Sequence, residues 1–210
     1  HSVDHLIGDT MESPNGNIYA GGKQLFILKK NQTTFTSLSI LNENTSNEIR
    51  ALNMKDSILW IGSRNGLYSY NERTAAITQY DLPPEVNQVI LALEIDLSGN
   101  LWMITASGIV IYNPADSTTM ILNERNGWPS SFSSIKALPN GKIAAGSIGK
   151  ILIIDPLALH PDTESPKPYI TQVVIDEKER YFLPNADTTF QLKYNQRISF
   201  QYASLNYQTA

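Results

Sequence analysis

Short apolar segments separated by turn residues occupy most of the first 155 positions, and one pattern among them recurs. Each copy has a polar turn, an aliphatic residue, further apolar positions and a small residue. The four copies lie at 15–22, 56–63, 98–105 and 140–147. Their aliphatic residues are spaced by 41, 42 and 42 positions and are Ile18, Leu59, Leu101 and Ile143. A period this regular indicates a repeat architecture.

Each copy contains further apolar segments. A second segment follows at 24–28, 66–70, 108–112 and 150–154, and another precedes the first at 4–8, 49–53, 89–93 and 134–138. A weaker fourth segment, such as 76–80, completes the unit. The segments are rich in Ile, Val, Tyr and Trp, and no stretch shows the sustained period of a helix. A unit of about 42 residues with four short strands is typical of a β-propeller blade.

Glycine and tryptophan recur at fixed places in this unit. One repeat position holds glycine in the first, second and fourth copies and isoleucine in the third copy; these residues are Gly21, Gly62, Gly146 and Ile104. We expect neighbouring blades to approach so closely there that a side chain would collide. Trp60 and Trp102 share another position, and we interpret both as core between blades rather than as ligand contacts.

The pattern changes near residue 156. Four prolines, at 156, 161, 166 and 168, predict a linker over 157–168. New segments at 169–175, 179–183, 188–194 and 197–205 lack the 42-residue spacing, and 198–202 alternates apolar with polar residues. We therefore predict an all-β chain. Residues 1–156 form four four-stranded blades (repeats near 1–46, 47–84, 85–131 and 132–156), and 169–210 begin an immunoglobulin-like β-sandwich. An open arc of blades would leave sheet edges uncovered, so we expect these blades to belong to a larger ring.

Composition excludes several functions. The chain has 210 residues, a net charge of −4 and a pI near 5.4, and its scattered basic residues argue against nucleic acid as a partner. It has no cysteine, which excludes disulfides and thiolate metal sites. Its longest apolar runs are far shorter than the roughly 20 residues that span a bilayer. The start of the sequence lacks the pattern of a signal peptide, so either none existed or this is an internal piece.

Recognised catalytic patterns are missing from the sequence. His1, His5 and His160 lack metal-ligand spacing, and no nucleophile or phosphate-binding motif occurs. Residues 96–100 are predicted as a hairpin turn rather than a calcium loop. We expect no catalytic residue, metal or cofactor in this chain.

Three motifs resemble a known family. The segments at 59–63 and 66–70 resemble the regulator-propeller repeat of bacterial two-component sensors. Leu82-Pro83 and the stretch 128–131 resemble the Leu-Pro-Ser-Asn element between its blades, with Trp128 in place of leucine. Residues 192–207 resemble the opening of the three-tyrosine (Y_Y_Y) domain, which follows such propellers directly.

The resemblance implies the periplasmic portion of an inner-membrane sensor histidine kinase, some members of which carry a fused response regulator. It implies seven-bladed propellers, a sandwich domain that forms a homodimer, a membrane helix and a cytoplasmic kinase. Many members detect oligosaccharides and regulate glycan-utilisation genes. An oligosaccharide and the remainder of its own ectodomain are the partners so implied, and these residues carry no catalysis.

Candidate ligand contacts lie in loops that a propeller places on one face, those between second and third strands and those between blades. Sugars are held by aromatic faces and by planar amide or guanidinium groups. On this basis we select Trp128, Asn126, Arg64 and Asn65. The alternatives are that Trp128 fills a gap between blades and that Arg64 and Asn65 form a solvated turn.

Two other functions remain open. A propeller-type polysaccharide-degrading enzyme would need convergent carboxylates or a His–Tyr pair, and no pair such as Asp81 and Glu85 is shown to converge by sequence. A protein-interaction scaffold is the third hypothesis, against which the sandwich-like tail argues mildly.

Overall fold

The computed structural model describes residues 7–40, 48–86, 88–129, 131–159, 168–176, 179–182 and 193–204. The chain divides into two compact units, with the boundary after Leu159. Regular structure in the described residues consists of antiparallel strands and two short 3₁₀ helices, Glu124–Asn126 and Pro156–Ala158. Within those ranges, no helix has the length and apolarity needed to cross a bilayer.

The first unit contains four sheets that follow one another along the chain. Sheet 1 comprises β1 (Asp9–Glu12), β2 (Ile18–Gly21), β3 (Leu25–Leu28) and β4 (Thr36–Leu38). Sheet 2 comprises β5 (Ile49–Lys55), β6 (Ile58–Ser63), β7 (Gly66–Asn71) and β8 (Ile77–Tyr80). Sheet 3 comprises β9 (Ala92–Ile95), β10 (Leu101–Thr105), β11 (Gly108–Tyr112) and β12 (Thr119–Leu122). Sheet 4 comprises β13 (Phe132–Ala137), β14 (Ile143–Ser147) and β15 (Lys150–Ile154).

Two strand positions differ from the sequence prediction. The first segment of sheet 1 was predicted at 4–8, of which 4–6 lie outside the described residues, and the strand observed there is Asp9–Glu12. The strand β9 begins three residues later than the predicted 89–93. The reason is that β1 is mostly polar and half exposed, so its place is set by pairing with β2 rather than by an apolar run. In sheet 4 the described residues supply three strands, where four were predicted.

Residues 96–100 form the hairpin turn between β9 and β10. The backbone N–H of Asp96 donates to the carbonyl of Asn100, and Gly99 donates back to Asp96 at 3.1 Å. Gly99 has a φ of +92°, which glycine adopts without steric strain. The hairpin predicted there is confirmed.

Each pair of successive sheets buries one hydrophobic cluster. Sheets 1 and 2 enclose a cluster around Tyr19 and Leu59, and sheets 2 and 3 enclose one around Trp60 and Leu101. Sheets 3 and 4 enclose the cluster that contains Trp102, which is 1% exposed. The interpretation of both tryptophans as core is therefore confirmed. Burial on both faces of the middle strands explains why they are continuous apolar runs rather than alternating ones.

The predicted crowding between sheets is confirmed at two of the three repeat glycines, Gly21 and Gly62, whereas Gly146 is crowded by Ser134 of its own sheet. A Cβ on Gly21 would lie 2.4 Å from Cγ2 of Ile49, and one on Gly62 would lie 2.5 Å from Cγ2 of Ile90. Both isoleucines belong to the following part of the chain and pack into the interface between sheets. Where the third copy has Ile104, its side chain is buried in the cluster shared with sheet 4.

The second unit contains one described sheet, built from β16 (Pro168–Ile175), β17 (Glu179–Phe182) and β18 (Ile198–Ser204) in the order β17-β16-β18. Val173 and Ile175 are buried on it, whereas Phe200 is 53% exposed. Most of the predicted segment 188–194 and all of 205–210 lie outside the described residues. The predicted sandwich therefore stays a prediction beyond this one sheet.

Candidate functional site

The first strands of the four sheets line a groove of about 460 Å³. Its walls come from β1, β5, β9 with the preceding Leu91, and β13. Its polar lining consists of four charged side chains of balanced sign, one amide and one hydroxyl: Asp9, Arg50, Glu94, Lys136, Asn53 and Thr10. The volume lies within the roughly 300–1,000 Å³ of ligand-binding clefts.

Three polar side chains form a row in this groove. Pairing with the second strand places one residue of each first strand at the same repeat position, namely Met11, Asn53, Glu94 and Lys136. Asn53 Nδ2 donates to Glu94 Oε2 at 3.1 Å, and Lys136 Nζ donates to Glu94 Oε1 at 2.7 Å. The row thus joins sheets 2, 3 and 4 through side chains at a position where sheet 1 has methionine. We name Asn53, Glu94 and Lys136 the polar row.

Burial is unequal along the polar row. The Glu94 side chain is 12% exposed, whereas that of Lys136 is 72% exposed. The carboxylate has given up most of its water and is compensated by the amide and the ammonium. An ammonium carries three donors, and Lys136 directs one of them at Glu94. The row therefore presents a fixed acceptor and a solvent-accessible cation side by side.

Asp9 and Arg50 complete the charged lining at one end of the groove. Asp9 Oδ2 accepts a hydrogen bond from the backbone N–H of Leu52 at 2.8 Å, which ties β1 to β5. Arg50 donates to Glu48 at 2.8 Å, and Arg64 lies 3.6 Å from the same carboxylate oxygen. Mainly the Arg50 hydrogen bond holds the pKa of Glu48 below its usual value.

Arg64 and Asn65, two of the predicted ligand residues, form the turn between β6 and β7. The Arg64 side chain is 53% exposed and pairs with Glu48. The backbone N–H of Asn65 donates to Ser63 Oγ at 3.1 Å, and its carbonyl accepts from the Tyr68 hydroxyl. Both residues lie on an exposed loop, and their contact with a ligand stays a prediction.

Asn126 and Trp128, the other two predicted residues, lie between β12 and β13. Asn126 Oδ1 accepts from the backbone N–H of Asn123 at 2.7 Å, and Asn126 Nδ2 donates to the carbonyl of Ile121. Trp128 is half-buried and packs against the cluster between sheets 3 and 4. Both side chains therefore have a role within the protein, and the packing of Trp128 agrees with the gap-filling alternative.

The two pairs of predicted residues lie on the same side of the sheets but in separate loops. The turn between β10 and β11 contacts the loop before β9, where Ser107 Oγ donates to the carbonyl of Glu85. It also contacts the loop before β13, where Asn123 Nδ2 donates to the carbonyl of Ser107. The end of β6, next to the turn that holds Arg64 and Asn65, contacts the segment leading into β9, because the backbone N–H of Ile90 donates to the carbonyl of Ser63 at 2.9 Å.

Sequence reasoning missed the polar row. Asn53 precedes its partner Trp60 by seven positions, whereas Glu94 precedes Trp102 by eight, so the repeat spacing alone does not align them. Aligning the first strands through their pairing with the second strands would have shown polar residues at one equivalent position. The register of each first strand against its second strand depends on the geometry of the hairpin that joins them.

A second carboxylate links sheets 1 and 2 away from the groove. Glu72 accepts hydrogen bonds at 2.6–3.0 Å from four side chains, those of Ser13, Asn15, Asn17 and Tyr19. Burial acts to raise the pKa of Glu72, but these hydrogen bonds outweigh it and the pKa is lowered. Burial, with the nearby carboxylate, raises the pKa of the Tyr19 hydroxyl. Because its oxygens are so fully engaged, Glu72 acts as a structural link rather than as a ligand group.

Among the described residues, no three His, Cys, Asp or Glu side chains come together to hold a metal ion. The three histidines of the sequence lie outside the described ranges.

The sequence matches no protein-family model and no curated protein. Solved structures do match. The extracellular domain of BT4673 from B. thetaiotaomicron, described as a hybrid two-component system, aligns with a TM-score of 0.61 and 18% identity over 80% of this chain. The alignment covers 22% of that domain, so this chain spans about a fifth of its length.

Two further structures show the same architecture. The WD40 β-propeller domain of Doa1 aligns with a TM-score of 0.56 and 13% identity over 72% of this chain and 51% of that one. Virginiamycin B lyase from Staphylococcus aureus, in a catalytically inactive form with quinupristin, aligns with a TM-score of 0.62 and 13% identity over 80% of this chain and 60% of that one. At these identities the likeness concerns the fold. The successive antiparallel sheets of the first unit have the β-propeller fold.

Proposed function

We propose that this chain is part of the extracytoplasmic region of a two-component sensor histidine kinase, where it binds an oligosaccharide or relays its binding. In this proposal the region lies in the periplasm, its partners are the remainder of its own ectodomain and a second copy joined through the sandwich domain, and the output is control of glycan-utilisation genes. Two findings support it: the resemblance of the motifs to the regulator-propeller and three-tyrosine pattern, and the fold shared with the extracellular domain of BT4673.

The observation that carries ligand binding is the polar row in its groove. One repeat position changes from methionine to amide, carboxylate and ammonium across the four sheets, and the last three side chains contact one another in the groove. Hydroxyl groups of a sugar both donate and accept, so they match a lining that alternates acceptor and donor. A net neutral lining also favours an uncharged ligand over a strongly ionic one.

Signalling requires a difference in affinity. A ligand shifts the equilibrium between resting and signalling arrangements only if it binds the signalling arrangement more tightly. The polar row bridges three sheets, so its hydrogen bonds depend on the spacing of those sheets. We therefore expect ligand binding in the groove to favour one spacing of the first strands.

Calorimetric titration with uncharged hexasaccharides of glucose, xylose, arabinose and fructose tests this proposal. We expect one of them to bind, and Lys136→Met to weaken it about tenfold or more, since a hydrogen bond to a charged group contributes about 1.5–3 kcal/mol. Lys142→Met, in the turn before β14 and away from the groove, is the matched control. Equal affinity of wild type and Lys136→Met would remove the groove from the binding site.

The loop prediction is tested separately. Trp128→Ala should weaken oligosaccharide binding to the intact ectodomain without unfolding it, because an aromatic face against the sugar would be lost. Trp128 also packs against the cluster between sheets 3 and 4, so Trp128→Leu serves as the control that restores apolar volume without an aromatic face. Unchanged affinity in Trp128→Ala would show that this residue is not a ligand contact.

An enzyme is the second candidate function, because virginiamycin B lyase shares the fold. Incubation of the chain with the same hexasaccharides, followed by measurement of new reducing ends, separates the two. Steady release of reducing ends would replace the sensor proposal with a degradative one. A stoichiometric protein partner in pull-down experiments would instead favour the scaffold hypothesis.

A further inference from the structure

The first strand of each sheet lies at the edge of that sheet, so alternate residues direct their backbone N–H and C=O away from it. Two hydrogen bonds show which residues do so. The N–H of Leu52 donates to Asp9 Oδ2 of sheet 1 at 2.8 Å. The carbonyl of Leu93 accepts from Asn53 Nδ2 of sheet 2 at 3.4 Å. Because the N–H and C=O of one strand residue point to the same side, the N–H of Leu93 also points away from sheet 3.

Leu52 and Leu93 share one repeat position, the one that precedes the position of the polar row. Pairing with the second strands assigns this position in the four sheets to Thr10, Leu52, Leu93 and Ile135. Leu93 and Ile135 are 5% and 8% exposed, and their side chains pack into the clusters between sheets, yet both residues line the groove. Their backbone is therefore the part that faces the groove.

Asp9 supplies the acceptors for the first two of these N–H groups. Its Oδ1 accepts from Thr10 and its Oδ2 accepts from Leu52, each at 2.8 Å. One carboxylate thus bridges the first strands of sheets 1 and 2. At the repeat position of Asp9, two residues before the position of the polar row, sheets 2 and 3 have alanine, namely Ala51 and Ala92.

The corresponding N–H groups between sheets 3 and 4 belong to Leu93 and Ile135, and we name them the amide pair. Ala92 has a methyl group where Asp9 carries its carboxylate, and a methyl group cannot accept a hydrogen bond. Neither N–H of the amide pair donates to an atom of the described residues. Almost all buried backbone N–H groups in native proteins have a partner. The amide pair is therefore a place where the groove needs an acceptor that the described residues do not supply.

We propose that the amide pair binds two adjacent acceptor oxygens of the ligand in the groove, in the way that the equivalent pair binds the carboxylate of Asp9. In a sugar, the carboxylate of a uronic acid or two neighbouring hydroxyl oxygens provide such acceptors. Lys136 follows Ile135 in β13 and directs one of its three ammonium donors at Glu94, so the groove has further donors for the same ligand. This inference rests on the proposed function, which places the ligand in the groove, and adds which ligand atoms are held there.

Hydrogen exchange of single amides, measured by NMR on the 210-residue chain, tests the amide pair before any ligand is added. The N–H of Leu52 is the matched control, because it lies at the same repeat position and is bound to Asp9. We expect Leu93 and Ile135 to exchange at least about tenfold faster than Leu52, and Asp9→Ala to remove the difference. Equal protection of all three amides in wild type would overturn the inference, since the amide pair would then already have acceptors.

Ala92→Asp returns to sheet 3 the carboxylate that Asp9 provides in sheet 1. We expect it to slow exchange at Leu93 and Ile135 to the rate of Leu52, and to weaken sugar binding at least about tenfold, because the new side chain occupies the amide pair. Ala92→Leu is the control, since leucine has a similar volume but no acceptor and should leave exchange fast. Equal slowing in both variants would overturn the inference, because it would come from burial rather than from a carboxylate.

Titration identifies the source of the acceptor oxygens. The probes are the uncharged hexasaccharides named above and the hexasaccharide of galacturonic acid. Slower exchange at both amides with the galacturonic acid hexasaccharide alone indicates a carboxylate, whereas slower exchange with an uncharged hexasaccharide indicates hydroxyl oxygens. A sugar that binds and leaves both exchange rates unchanged would overturn the inference and leave the proposed function standing.

If none of these sugars binds, the proposed function fails and acetate becomes the probe of the amide pair. Acetate that shifts the NMR signals of both amides, and of neither in Ala92→Asp, would support the inference. Signals that acetate leaves unshifted in wild type would overturn it. The two proposals therefore fail on different measurements.

Discussion

Replacing Gly62 with alanine tests how closely sheets 2 and 3 approach. A Cβ on Gly62 would lie 2.5 Å from Cγ2 of Ile90, 3.1 Å from its Cβ and 3.2 Å from the Cβ of Ala51. Carbon atoms pack best at about 3.5–4.0 Å. Ile90 is fully buried and β-branched, so it cannot turn its methyl group away at χ1 without strain.

The expected loss follows from this geometry. Relief of the contact needs a displacement of about 1 Å at the interface between sheets 2 and 3, since van der Waals contact begins near 3.5 Å. Overpacking of a well-packed core costs about 1–3 kcal/mol of stability. Because the new Cβ would meet two rigid neighbours, Ile90 and Ala51, we expect Gly62→Ala to lower the free energy of unfolding by about 2 kcal/mol. For a chain of this size, that corresponds to a melting temperature lowered by about 4–8 °C.

Urea unfolding monitored by tryptophan fluorescence measures the effect, and Ile90→Ala provides the control background. Ile90→Ala removes the methyl group with which the new Cβ collides, so Gly62→Ala should cost less than about 0.5 kcal/mol when added to it. The reasoning would be refuted by a Gly62→Ala variant as stable as wild type. An equal loss in both backgrounds would refute it as well, since the loss would then not come from Ile90.

Two further predictions concern carboxylates with structural roles. Glu72→Ala should lower the free energy of unfolding by about 2–4 kcal/mol, because it leaves the buried hydroxyl of Tyr19 without its acceptor. The pKa of Glu72 is lowered in the folded state, so the advantage of wild type over Glu72→Gln should be full above about pH 4.5 and should vanish as the pH falls through the folded-state pKa. An advantage that does not change between pH 7 and pH 3 would contradict this. Asp96→Ala should cost about 1–3 kcal/mol in urea unfolding because the Trp102 indole, 2.9 Å away, loses its acceptor; Asp96→Asn, which keeps an oxygen there, should lose less.

Much of the fold could be predicted from the repeat. The spacing of Leu59 and Leu101 identified strands that are fully buried, and the small residue after them identified the close approach of Gly62 to the next sheet. These features follow from packing, which acts in the same way on every copy. The position of β1 could not be predicted in this way, since a half-exposed edge strand owes its place to hydrogen bonds with β2 rather than to burial.

The candidate site was less accessible to sequence reasoning. Trp128 and Asn126 were selected because their residue types suit sugars, but residue type does not reveal that the Asn126 amide is used within its own loop. The polar row depends on strand register, which brings Asn53, Glu94 and Lys136 together from segments about 42 residues apart. Such a site becomes visible only when each first strand is aligned with its partner.

The interface between sheets 3 and 4 shows why packing positions and site positions diverge. There Ile104 replaces glycine and Phe132 replaces isoleucine, so the interface gains volume at both positions. Ala145 lies where the preceding sheets have Ile61 and Met103, and this smaller side chain offsets the gain. Residues that face another sheet thus change together because their total volume is fixed. Some groove residues, such as Leu52, Leu93 and Ile135, belong to these clusters, whereas at the position of the polar row the copies differ in charge. Packing between sheets does not require charged side chains at this position. Their presence there is therefore the feature that makes the groove the candidate site.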